Sequence, residues 1–67
     1  MTVQSDLKKA LASAKSALGS FSTFSESTQD QTAKEMFEQM AQDMERHIEL
    51  LNSRLTYIEE NNPLYKK

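Results

Sequence analysis

The sequence predicts an all-α fold: an antiparallel hairpin of two helices, at about 3–26 and 30–60, that dimerises into a four-helix bundle. Three observations predict it. In 67 residues there is one glycine, Gly19, and one proline, Pro63, too little punctuation for short strands and turns. Apolar residues recur at steps of three and four, the helical period. Over residues 25–30 that pattern gives way to a polar run, Ser-Glu-Ser-Thr-Gln-Asp. Residues 1–67 read as one helical-hairpin domain with a short tail over 61–67.

The first helix rests on an unbroken seam. Val3, Leu7, Ala10, Ala14, Ala17, Phe21 and Phe24 follow one another at steps of 4, 3, 4, 3, 4 and 3. Leu11 and Leu18 widen this seam to the three positions in seven that a bundle helix needs. Lys8, Lys9, Ser13, Lys15, Ser16, Ser20 and Ser22 fill the other side. Thr2 or Ser5 is placed to cap the first turn by accepting from an unpaired backbone N–H. Gly19 falls inside the pattern, and the seam continues in phase beyond it. It is therefore expected within the helix, at a cost of about 1 kcal/mol relative to alanine.

The polar run favours side-chain-to-backbone bonds over helix propagation. Thr28 with Gln31 fits a capping box, and Asp30 is a good cap by itself. So short a connection makes the helices antiparallel neighbours. In the second helix Phe37, Met44, Leu51 and Ile58 stand seven apart, with Ala33 and Met40 beside them early and Ala41, Ile48 and Leu55 late. The steps Met40–Met44–Ile48 shift the seam sideways and relax the supercoil locally. Met36, Leu50 and Tyr57 add apolar surface on the other flank. Asn61-Asn62-Pro63 should end the helix, with an asparagine in a left-handed cap.

Two helices of roughly 23 and 31 residues are about 34 and 46 Å long, so the second should overhang the first by about two turns. Its apolar arc is wider than one neighbour covers, and chains of this size seldom bury enough surface to be stable alone. A second copy is the simplest cover. The expected self-association residues are Leu7, Leu11, Ala14, Leu18, Phe21, Phe37, Met40, Met44, Ile48, Leu51, Leu55 and Ile58. Tyr57, Leu64 and Tyr65, with Arg46 and Arg54, are the candidate surface for a further partner, unless they close the end of the dimer.

Composition excludes several functions. There is no cysteine, hence no disulfide framework or thiolate metal site. A net charge of −2 is not the basic footprint of a nucleic-acid binder. No apolar run is long enough to span a membrane, and residues 1–6 carry neither the basic nor the apolar region of a secretory signal. No phosphate loop, cysteine nucleophile or Ser-His-Asp pattern is present. The paired acids lie on a face best read as solvated, so no enzyme, cofactor or catalytic residue is expected. The Ser-Gln-Glu-Leu-Asp run of the small aspartyl-phosphate phosphatases is missing too.

Two other readings compete. The first helix has an apolar face and a serine-rich polar face, which suits peripheral binding to a membrane surface, with Lys8, Lys9 and Lys15 adding attraction to anionic lipid. Its heptad seam asks instead for a helical neighbour. The second helix resembles a metal-bearing helix of ferritin-like proteins, whose signature is Glu-x-x-His. Three residues before His47 stands Met44, and the inward positions Leu7, Ala14 and Phe21 of the first helix offer no carboxylate. Asp43 and His47 alone make a poor pair of ligands, so no metal site is expected.

The chain as a whole resembles a known family. After the Leu-Ala-Lys helix come Phe24, Thr28-Gln29-Asp30, Ala33-Lys34, Phe37, Leu51, Arg54-Leu55, Ile58-Glu59 and a Pro63-x-Tyr65-Lys66 ending. This is similar to the small proteins of Bacillus-type spore formers grouped as domain of unknown function 1657 (DUF1657). Asn61, Asn62 and Leu64 depart from the acidic tail usual there. The resemblance supplies no active site. It implies a sporulation-linked protein of the cytoplasm, in the forespore or spore core, with a scaffolding or membrane-adjacent role, and adds another spore protein to the second copy as an expected partner.

Overall fold

The computed structural model describes residues 2–62. They form two α-helices, α1 (Val3–Ser27) and α2 (Gln31–Asn61), packed side by side and joined by a three-residue turn. The molecule measures 51 × 17 × 16 Å. It is one helix pair thick, with no room for an interior.

Both helices start on their cap chemistry. The Thr2 hydroxyl accepts from the Ser5 backbone N–H at 3.0 Å, and the Asp30 carboxylate from that of Ala33 at 3.2 Å. Ser5 is therefore a capped residue and not the cap. The capping box of Thr28 and Gln31 does not form. Thr28 ends α1 and accepts from the Asp30 N–H at 3.3 Å, while the Gln31 amide donates to Glu35 at 3.1 Å. The turn is three residues long because Thr28 and Asp30 each serve two neighbouring backbone groups.

The end of α2 differs from expectation. Asn62 is its cap, with φ −113° and ψ 115°, extended and not left-handed. The cause is Pro63, whose ring pushes the residue before it towards extended backbone. Gly19 is helical, and no neighbouring atom would lie within 4 Å of an added Cβ.

Aromatic packing and one small residue close the hairpin at its tip. The Phe21 and Phe37 rings stack at 6.4 Å and 20°, and Phe24 tilts against Phe37 at 5.5 Å and 54°. Ser25 is the single buried side chain among the described residues. Its hydroxyl donates back to the Ser22 carbonyl at 2.9 Å, and the Lys34 ammonium crosses from α2 to donate to the Ser25 carbonyl. At the far end the Gln4 amide donates to Glu59 at 2.6 Å, and the Lys8 ammonium stands 3.8 Å from the same carboxylate.

These end contacts correct the expected overhang. With α1 of 25 residues against 31 α2 is still the longer helix, but Gln4 and Lys8 both reach Glu59, so Tyr57 lies level with the first turns of α1 and not on an overhang beyond them. The seam of α1 is also split. Leu7, Leu11, Ala14, Leu18 and Phe21 are half-buried, whereas Val3, Ala10 and Phe24 of the same seam are exposed. Leu11 takes the contact and leaves Ala10 exposed, because a leucine removes more apolar surface from water than an alanine, while Ala17 and Leu18 share it.

Candidate functional site

The split seam leaves the hairpin with two unlike faces. Each helix advances about 100° per residue. The residue just before an inward-facing one is therefore turned back to one flank, and the residue just after it is turned to the other. In antiparallel right-handed helices, backward turns on both helices point to the same side. On α1 the preceding residues include Ala10 and Ala17 (before Leu11 and Leu18) and Phe24 (before Ser25), with Val3 a heptad earlier. On α2 they include Met36, Asp43, Leu50 and Tyr57, before Phe37, Met44, Leu51 and Ile58, and also Gln39, His47 and Arg54, before Met40, Ile48 and Leu55. With Asp6, Ser13 and Ser20 of α1, which precede Leu7, Ala14 and Phe21, these positions form one face on which an apolar stripe from each helix runs beside polar residues.

The following residues form the opposite, charged face. On α1 they include Lys8 and Lys15, and on α2 Glu38, Glu45 and Glu59. The polar bridges Gln4–Glu59, Lys8–Glu59 and Lys34–Ser25 all cross on this side. These three polar contacts tie one edge of the hairpin, with Lys8–Glu59 the ion pair among them, and the face on the other side is open.

The exposed large apolar side chains fall on that open face. They are Val3, Phe24, Met36, Leu50 and Tyr57, from 48% exposed at Phe24 to 70% at Leu50. Of its charges, Arg54 and Asp43 are partnered locally. The Arg54 guanidinium lies 5.1 Å over the Tyr57 ring, a cation–π contact. Asp43 accepts from Gln39 at 3.0 Å and pairs with Arg46.

The twelve residues expected to associate are half-buried, all of them along the contact between α1 and α2. They hold the hairpin together first, and no apolar side chain among the described residues becomes fully buried by doing so. Of the residues that a lipid surface would take, Leu7, Leu11, Leu18 and Phe21 are half-buried along α2, while Phe24 is exposed. Among the surface residues named for a further partner, Arg46, Arg54 and Tyr57 are exposed, while Leu64 and Tyr65 lie outside the described residues. Sequence reasoning missed Val3 and Phe24 as members of the open face. The available signal was their heptad spacing through Ala10 and Ala17, matched by Met36, Asp43, Leu50 and Tyr57.

The profile of the family described as "Protein of unknown function (DUF1657)" matches residues 7–55. The chain belongs to the DUF1657 family. The matched segment takes in the turn and most of both helices, and it stops short of the Asn61-Asn62-Pro63 stretch. No curated protein and no solved structure shows a significant match.

In this DUF1657 hairpin the remaining polar groups do not gather. Among the described residues, no three side chains of His, Asp or Glu converge where they could hold a metal ion. His47 is exposed on the flank of α2. A shallow depression lined by Asn52, Ser53, Thr56, Tyr57 and Glu60 is open to solvent along one side of a single helix. No helix within the described residues is long and apolar enough to cross a membrane.

Proposed function

We propose that this DUF1657 hairpin is a non-enzymatic interaction module whose first partner is itself. The single observation that carries this reading is the lack of any fully buried apolar side chain among the described residues of the isolated hairpin. Small domains draw most of their stability from burial, and a pair of helices half-wetted along its whole length is at the margin. Association completes the missing half of the core. Catalysis asks for convergent groups in an enclosed site, and the polar groups here are spread along an open rod.

The setting we assign is the interior of a spore-forming cell during sporulation, where such a bundle would act as a structural or adaptor element, with Arg46 and the charged face left to meet another protein. Expression that does not change on entry into sporulation would remove this part of the reading. The oligomer itself is tested by sedimentation equilibrium and circular dichroism on one sample. At micromolar concentration the expected mass is twice 7.7 kDa or more, with helicity falling as dilution drives dissociation. A fully helical particle of monomer mass at that concentration would overturn the proposal.

A further inference from the structure

We infer that the second copy docks on the open face of Val3, Ala10, Ala17, Phe24, Met36, Leu50 and Tyr57, turned about the long axis of the rod so that α1 of each copy lies against α2 of the other. The inference rests on the self-association proposed above and adds to it which face is used and in what register.

Area is the first reason. With aromatic and other large side chains carrying roughly 150–250 Å² each, the observed exposures of the five large residues leave on the order of 500 Å² of apolar surface on one face. That reaches the upper range of the largest patch on an ordinary monomer, about 300–600 Å². Ala10, Ala17 and the half-buried Met40 and Leu51 beside it extend it towards the ~800 Å² per partner of a stable interface. The opposite face, with Lys8, Lys15, Glu38, Glu45 and Glu59, has no comparable patch.

Register is the second reason. The contacts Gln4–Glu59 and Phe24–Phe37 fix the levels of the two helices to within a turn. Because both stripes step by seven in opposite directions, Val3 falls within a turn of the level of Tyr57, and so do Ala10 and Leu50, Ala17 and Asp43, and Phe24 and Met36. A two-fold axis along the rod keeps those levels. It sets Leu50 on the partner's Ala10, bulky on small, and brings Tyr57 to the partner's Val3 and Met36 to the partner's Phe24, apolar on apolar. Arg54 then comes level with the partner's Asp6, an opposite charge. Asp43 faces the partner's Ala17 with its charge already answered by Arg46. Turning the second copy end over end would instead set Ala10 on the partner's Ala17 and Leu50 at the level of the partner's Asp43, small on small and apolar on charged.

The test uses the absence of cysteine from the chain. Protein carrying A10C is mixed with protein carrying L50C and oxidised, beside a control mixture of K15C with E45C, which are equally level but on the charged face. All four positions are exposed, so the substitutions leave the hairpin contacts in place. A disulfide needs Cα atoms about 4.4–6.8 Å apart. A disulfide-linked heterodimer from the first mixture and none from the second is the expected result. Cross-linking in the control instead, or none in the first mixture while sedimentation shows a dimer, overturns the face and register and leaves self-association standing. Monomer mass throughout overturns both.

Discussion

At Gly19 the backbone is helical and nothing stands within 4 Å of where a Cβ would be. A glycine there contributes only its conformational freedom in the unfolded chain. Gly19→Ala is therefore expected to stabilise the fold by about 1 kcal/mol, read as a rise of roughly 4–8 °C in the thermal midpoint. A midpoint that stays or falls would show a role for Gly19 that this geometry does not contain. Asp30 makes the opposite case. Its carboxylate holds the Ala33 N–H at the first turn of α2. Asp30→Ala should cost about 1 kcal/mol, read in the same melt, and Asp30→Asn or Asp30→Ser should recover most of it. Both effects were legible in the sequence because capping and glycine propensity act within a few residues. The asparagine cap was misread for an equally local reason, the constraint Pro63 places on Asn62.

At the scale of the element, the helices were legible to within a residue or two, and their facing directions were not. Ala10 and Leu11 are neighbours in one broad seam, as are Ala17 and Leu18. Periodicity alone allows α1 to present either line to α2. The choice is tertiary: Leu11 goes in and Ala10 is left exposed, while Ala17 and Leu18 are both half-buried. The tip is the firmest part of the contact, since Phe37 takes both Phe21 and Phe24. Phe37→Ala, at a half-buried ring, should cost about 1–2 kcal/mol and lower helicity at every protein concentration. Leu50→Ala, at the most exposed large apolar residue, should leave the hairpin contacts intact and weaken only the concentration-dependent part of the transition. Denaturant melts at two concentrations about a hundredfold apart separate these two behaviours. Equal effects of the two substitutions at both concentrations would mean that hairpin and dimer cores are not distinct.

For the whole molecule, the division into an apolar and a charged face sets how association responds to salt. If the copies meet through the open face, the Lys8–Glu59 edge stays in water and one rim pair, Arg54 with the partner's Asp6, is the main charge contact. An exposed pair of that kind contributes about 1 kcal/mol or less. Raising ionic strength from about 0.05 M to about 0.5 M shortens the screening length from about 14 Å to about 4 Å. The dimer dissociation constant should then rise by no more than a few fold in sodium chloride. In sodium sulfate it should fall, because excluded salts strengthen apolar burial. Basic α1 and acidic α2 offer another way to join copies, charged face to charged face, with several Lys–Glu pairs across the joint. That arrangement would lose affinity by tenfold or more over the same range in either salt. The sign of the sulfate effect thus distinguishes the two faces without any substitution in the chain.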